Sequence, residues 1–161
     1  MNVSRGKGNA KQGKRDAAWR DMGLRRLREA SKRAADCVIN SYGEVRTFFV
    51  RTPCRSLDRA LVVLGDGREN EVVVAVSWVR MGTTEGARKL RELADTDGTG
   101  NVSPLAGALV RAAGVRFTGR YYDSRRDGKL VVIAETEPLR GKPDPEFMDG
   151  IAEIAVEFPP P

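Results

Sequence analysis

The most regular pattern in the chain is a pair of similar units, each with two apolar runs, a turn and a helix. In the first unit, the β-rich runs Ala60 to Leu64 and Glu71 to Met81 flank a polar segment from Gly65 to Asn70. This arrangement predicts a β-hairpin. A helix should follow from Thr83 or Thr84, with its inner side formed by Ala87, Leu90, Leu93 and Ala94.

The second unit repeats this order nearer the C-terminus. The runs Val115 to Tyr122 and Leu130 to Glu137 flank a turn that ends in Asp127-Gly128. Asp144-Pro145 predicts the start of a final helix, because Asp caps a helix and Pro fits its first position. The apolar residues of this helix recur at helical spacing, as Phe147, Ile151, Ile154 and Phe158. Between the two units, Leu105 to Ala113 predicts a further helix.

The N-terminal third has a different pattern. Residues 1–15 contain few apolar residues, which predicts a disordered basic arm. Residues 16–42 predict a basic amphipathic helix, with Asp16 at its start and a stop signal from Asn40 to Gly43. Its apolar stripe is Trp19, Gly23, Leu27, Ala30, Ala34, Cys37 and Val38. Arg46 to Val50 fits either a further edge strand or the tail of this helix.

These elements together predict an α+β protein. The N-terminal basic helix is followed by two ββα units, which would form a mainly antiparallel four-stranded sheet with helices packed on one face. The predicted organisation is a disordered basic arm over residues 1–15, the helix over 16–42 and an α+β domain over 43–161.

Composition narrows the class of protein. The chain of 161 residues is long enough for a hydrophobic core. It has neither an apolar run long enough to span a membrane nor a hydrophobic leader, which predicts a cytoplasmic protein. Cys37 and Cys54, the two cysteines of the sequence, are therefore expected to be reduced. The sequence contains no histidine, which removes the usual nucleophile-activating base and the common zinc sites.

Charge is distributed unevenly along the chain. Residues 1–35 hold eleven Lys and Arg against three acids, a balance of +8, whereas the remainder holds seventeen against nineteen, a balance of −2. Such asymmetry favours an anionic partner, and nucleic acid is the partner that we predict first. An acidic protein, a membrane surface and a solvated face without a partner are the alternatives. The residues predicted to contact phosphates are Lys11, Lys14, Arg15, Arg20, Arg25, Arg26, Arg28, Lys32 and Arg33.

The principal alternative function is protein–protein interaction within a larger assembly. The apolar stripe of the predicted N-terminal helix is too narrow to stabilise an isolated helix. That helix would then act as a tether, through Trp19, Leu27 and Val38.

The remaining motifs give little support to catalysis. The segment Asp95-Thr96-Asp97-Gly98-Thr99-Gly100-Asn101-Val102-Ser103 resembles the opening of an EF-hand calcium loop. It departs from that pattern at its twelfth position, where Ala106 replaces the bidentate Glu. Cys54 lies close to Arg55 and Arg59, but their spacing does not match a phosphatase loop. We predict a non-enzymatic protein without cofactor or metal; the candidate proton-transfer groups for an enzyme are Glu135 and Glu137.

Overall fold

The structure is a computed structural model that describes residues 1–34, 36–105 and 115–161. Within these residues it contains five helices and five strands. The helices are α1 (Val3–Lys11), α2 (Arg15–Arg20), α3 (Gly43–Arg51), α4 (Thr84–Ala94) and α5 (Pro145–Ala155). The strands are β1 (Arg25–Ala34), β2 (Cys54–Gly65), β3 (Glu71–Met81), β4 (Tyr121–Asp127) and β5 (Leu130–Arg140). The predicted α+β class is confirmed.

All five strands form one antiparallel sheet in the order β1-β2-β3-β5-β4. Both predicted hairpins are present, β2 with β3 and β4 with β5. In the first turn, the Asp66 carboxylate accepts hydrogen bonds from the backbone N–H groups of Arg68 and Asn70. In the second hairpin the first strand runs from Tyr121 to Asp127, so the prediction of this strand over Val115 to Tyr122 is wrong in position, and residues predicted as the turn belong to β4. The predicted helix from Leu105 to Ala113 lies almost wholly outside the described residues.

Helices cover both faces of the sheet, so the prediction that they pack on one face is wrong. On one face, α1, α2 and α5 cover residues such as Val62 and Val74. On the other face, α3 and α4 pack against Leu57, Val79 and Ile133. The physical reason is that β2 and β3 are apolar at both parities, and a strand with two apolar faces needs cover on both sides.

The predicted helix over residues 16–42 is wrong. The second helix ends at Arg20, Gly23 adopts a left-handed φ of 71°, and the chain continues as β1 along the edge of the sheet beside β2. An Ala-rich segment gives a helical spacing by coincidence, and long-range pairing with β2 overrides that local preference. The sheet therefore has five strands instead of four. Residues Arg46 to Val50 belong to the separate helix α3, so they form neither an edge strand nor the tail of the predicted N-terminal helix.

The N-terminal segment is also not a disordered arm. Asn2 caps α1 by accepting a hydrogen bond from the Arg5 N–H, and Ala10 is fully buried. Gly6 lies so close to α5 that a Cβ atom added there would be 2.5 Å from Ile154 Cδ1. Small residues allow this close helix packing, and for that reason the segment contains few large apolar side chains.

Cys37 and Cys54 form a disulfide, so the expectation of two reduced thiols is wrong. The bond joins the segment after β1 to the start of β2, and Cys37 is buried in the core beside α3 and α4. Disulfides are typical of oxidising compartments. No helix among the described residues is long and apolar enough to cross a membrane.

Valine substitutions in α1 test whether the N-terminal segment packs on the body. We expect Gly6→Val to lower the free energy of unfolding by about 1 to 3 kcal/mol relative to Gly8→Val, because the added methyl groups meet Ile154. Gly8 is the matched control, since a Cβ added there has nothing within 4 Å. Urea denaturation of both variants measures the difference. Equal stabilities would contradict the packing of α1 on α5.

Candidate functional site

The nine cationic residues predicted to contact an anionic partner all have exposed side chains. Four lie in or beside α1 and α2, and five lie on the edge strand β1. They are Lys11, Lys14, Arg15 and Arg20 in the first group, and Arg25, Arg26, Arg28, Lys32 and Arg33 in the second. The structure thus places Arg15 and the five residues of β1 at one edge of the sheet, although not on the predicted helix. Lys11 lies instead near Asp127 of β4, which is the other edge strand.

Ion pairs neutralise part of this cationic edge. Arg15 and Arg26 both pair with Glu29, and Arg33 Nε lies 3.9 Å from Asp58 Oδ1. In the described part of the chain, the other six cations form no salt bridge. Lys32 lies directly opposite Arg59 of β2, whose buried guanidinium donates a hydrogen bond to the Ser103 carbonyl oxygen.

The residues of the predicted tether do not form one surface. Trp19 is buried, with its ring centroid 5.3 Å from that of Phe158. Leu27 is 41% exposed and lies at the irregularity in the pairing of β1 with β2. Val38 packs in the cluster around the disulfide. Trp19, Leu27 and Val38 lie apart because residues 16–42 do not form the single helix that would have aligned them.

A cavity of about 340 Å³ lies at the end of the sheet opposite β1, next to strands β5 and β4. We call it the Glu135 cavity. Its lining includes three carboxyl groups, three aromatic rings, an amide and several glycines. These are Asp95, Asp97 and Glu135; Tyr42, Phe117 and Tyr122; Asn101; and Gly43, Gly98, Gly100 and Gly119.

Hydrogen bonds between two loops form one wall of the cavity. The Tyr42 N–H donates to the Asn101 carbonyl oxygen at 3.0 Å, and the Val45 N–H donates to that of Thr99 at 3.1 Å. A Cβ atom added to Gly100 would lie 2.1 Å from the Tyr42 carbonyl oxygen, and Gly100 has a φ of 82°. Only glycine fits at this position. The loop contacts therefore hold Tyr42 at the edge of the cavity.

Asp95 joins the end of α4 to β4. Its Oδ1 accepts hydrogen bonds from the Tyr122 hydroxyl at 2.8 Å and from the Ser124 hydroxyl at 2.7 Å. Arg91 donates from Nε to Ser124 Oγ and lies 3.7 Å from Asp95 Oδ2. In the calcium-loop comparison Asp95 would be the first ligand, but here its carboxylate is engaged by protein donors. Within the described residues, no three His, Cys, Asp or Glu side chains are grouped so that they could hold a metal ion.

Glu135 has a different environment. It lies on β5 between Ala75 of β3 and Tyr122 of β4, and only 6% of its surface is exposed. Burial, with a smaller contribution from the charge of Glu137, raises the pKa of Glu135 to about 7. Hydrogen bonding makes no contribution to this shift. By contrast, the Glu137 carboxylate accepts two hydrogen bonds from Thr118, at 3.2 Å from its N–H and 2.9 Å from its hydroxyl.

The two tyrosines of the cavity remain protonated at neutral pH. Burial, followed by the nearby Asp95 carboxylate, raises the pKa of Tyr122 above its ordinary value. Burial and the charge of Glu135 raise the pKa of Tyr42. Both phenols can therefore donate a hydrogen bond, and Tyr122 donates to Asp95.

Comparison with protein-family models, curated protein sequences and solved structures gives no match to this chain. Any functional assignment must therefore come from the chemistry of its own residues.

Sequence reasoning named Glu135 and Glu137 but found no partners for them. The available signal was their parity, since both acids share one face of β5 with the apolar residues Val131 and Ile133. Acids on a core-facing side of a strand indicate an internal polar site. Sequence reasoning missed Tyr42 and Asn101 as lining residues, because one belonged to a predicted helix stop and the other to a polar loop.

Stability against pH tests the environment of Glu135. A glutamate whose pKa is higher in the folded than in the unfolded chain binds its proton more tightly when folded. Its stabilising effect is complete below about pH 4.5 and is lost as the pH rises through about 7. We expect the wild-type protein to lose of the order of 3 kcal/mol of unfolding free energy over this interval relative to Glu135→Gln.

Urea denaturation at several pH values measures this difference. Glu153→Gln is the control, since Glu153 is exposed on α5, and it should follow the wild-type pH profile. If Glu135→Gln has the same profile as the wild type, Glu135 does not titrate in a buried site.

Proposed function

We propose that the protein is a small-molecule-binding domain whose ligand occupies the Glu135 cavity. The observation that carries this proposal is a buried carboxyl group that borders a partly open cavity with a polar and aromatic lining. The cavity volume of about 340 Å³ falls in the range of sites for small ligands. A mixed lining of aromatic rings and a few polar groups is also typical of such sites.

The role of Glu135 is not explained by structure alone. Burial of a carboxyl group is unfavourable unless hydrogen bonds or an opposite charge compensate for lost hydration. Asp95 and Glu137 have such compensation, and through it they connect separate parts of the chain. Among the described residues, no donor makes a comparable contact with Glu135. A ligand that donates hydrogen bonds or carries positive charge would compensate for its burial, which supports a binding role.

We propose binding in preference to catalysis. A carboxyl group with a pKa near 7 has a suitable value for proton transfer. Catalysis also requires a second reacting group positioned for the substrate, such as a nucleophile hydrogen-bonded to a base. Among the described residues that line the cavity, the hydroxyl groups of Tyr122 and Thr118 donate hydrogen bonds to the Asp95 and Glu137 carboxylates, respectively. The Thr96 hydroxyl donates to a backbone carbonyl oxygen. None of them leads to Glu135.

A fragment screen followed by nuclear magnetic resonance tests the proposal. We expect fragments that bind the wild-type protein to shift the amide resonances of Asn101, Gly119 and Tyr122, because these residues line the cavity. Glu135→Gln should weaken these fragments at least severalfold, whereas the exposed control Glu153→Gln should not. The screen should contain cations, anions and neutral molecules. If no fragment shifts these resonances, the proposal is wrong.

A second candidate function is nucleic-acid binding at the edge strand β1. The supporting observation is the exposed cationic group on one side of β1, formed by Arg25, Arg28 and Lys32, which register opposite Gly65, Val63 and Arg59 of β2. These three cations form no salt bridge with the described residues, and phosphate groups would compensate their charge. Docking to another protein subunit is the alternative for the same edge, since β1 pairs only with β2 among the described strands. Cytoplasmic residence stays a prediction.

Fluorescence anisotropy with labelled DNA and RNA tests the second candidate. We expect the triple change Arg25→Gln, Arg28→Gln and Lys32→Gln to reduce the logarithmic salt slope of binding by about 2 to 3, because each lost phosphate contact removes close to one unit. The control changes Arg46, Arg88 and Lys89 to Gln, three cations that are also exposed but lie on α3 and α4. Equal slopes for both triple variants would contradict a specific role for β1.

A further inference from the structure

We infer that the ligand of the Glu135 cavity is an organic cation, with an alkylated ammonium group held between carboxylates and aromatic rings. This inference rests on the proposed binding function and specifies its ligand class.

The charge of the lining favours a cation. Within the described residues, the side chains that border the cavity include three carboxyl groups and no lysine or arginine. Arg91 does not line the cavity, but it forms a salt bridge with Asp95 and donates hydrogen bonds to Ser124, so part of the Asp95 charge is compensated within the protein. An anion would still meet the carboxyl groups of Asp97 and Glu135 without a lysine or arginine in the lining, whereas a cation would interact favourably with both.

The aromatic rings favour an organic cation over a metal ion. Tyr42, Tyr122 and Phe117 line the cavity, and aromatic rings attract ammonium groups through cation–π interactions, a common mode of recognition for alkylated ammonium groups. Tyr122 is anchored through its hydroxyl to Asp95, which fixes the position of its ring. Calcium and magnesium instead require about six or more oxygen ligands around one point. The described residues provide no group of three or more carboxylates that could hold a metal ion, and the lining of the cavity includes three aromatic rings.

Glu135 couples binding to pH. Its carboxyl group has a pKa of about 7, so at that pH it is ionised in about half of the molecules. A cation binds preferentially to the ionised form, and the apparent dissociation constant scales inversely with the ionised fraction. That fraction rises about tenfold between pH 6 and pH 8, so affinity should rise by the same factor.

The test is a titration of the full chain with choline and with its neutral isostere, in which a quaternary carbon replaces the nitrogen. The amide resonances of Asn101, Gly119 and Tyr122 report on the cavity. We expect choline to bind about tenfold more tightly at pH 8 than at pH 6, and the isostere to bind at least about tenfold more weakly than choline at pH 8.

Two variants identify the groups involved. Glu135→Gln should abolish the pH dependence of choline binding, since the amide does not titrate, and Tyr42→Leu should weaken binding at both pH values. The exposed control Glu153→Gln should leave affinity and pH dependence unchanged. The amide spectrum of each variant establishes that it is folded.

The outcomes separate this inference from the proposed function. If the isostere binds as well as choline, or choline binding is the same in Glu135→Gln, the ligand is not recognised as a cation and the inference is wrong. If neutral or anionic fragments then shift the same resonances, the proposed binding function still holds. If choline and all fragments leave these resonances unchanged, both are wrong.

Discussion

The antiparallel pairing of β3 with β5 is the contact on which the rest of the structure depends. Each of the two strands belongs to a local hairpin, and their pairing converts two hairpins into one sheet. It also places the most apolar strands at the centre, where Val73, Val74, Val131 and Val132 are fully buried. Because these residues point to both faces, the sheet is stable only with helices on each side.

The candidate site follows from the same pairing. Glu135 and Glu137 lie on the face that also carries Val131 and Ile133, but they are further along β5. Helices α3 and α4 cover the part around Ile133. Around Glu135, loops provide the cover: the segment after α4, the Tyr42 segment and the residues just before β4. Loops pack less completely than helices and bring backbone groups with them, so a cavity forms where a buried carboxyl group can meet a ligand.

Local pattern explains which parts of this structure could be predicted. The hairpins and α5 depend on nearby residues, such as the Asp66 turn and the Asp144 cap, and the sequence pattern indicated them correctly. The strand β1 depends on its pairing with β2, a distant segment, and an Ala-rich helical spacing concealed it. Packing of α1 depends on the absence of a side chain at Gly6, which a search for apolar stripes does not detect.

The candidate site shows the same limit of local reasoning. The parity of Glu135 is visible in the sequence, but its approach to Tyr42 requires both the sheet and the loop contact at Gly100. Likewise, Cys37 can form a disulfide with Cys54 because the antiparallel pairing of β1 with β2 brings the two cysteines together. Predictions made residue by residue could therefore name chemical groups, whereas the partners of those groups depended on tertiary structure.

The position of the basic residues changes what their charge implies. On a disordered arm, such residues would make no contacts with the folded body, and binding to an anionic partner would be the simplest explanation for their positive charge. On an edge strand, lysine and arginine also prevent pairing with another chain, which is a general requirement for exposed sheet edges. Ion pairs with Glu29 and Asp58 use several of them within the molecule. Three of the cations thus have partners within the molecule, and the others fit the general role of charge on a sheet edge. The buried carboxyl group of Glu135 has no such partner among the described residues, so the cavity is the stronger indication of function.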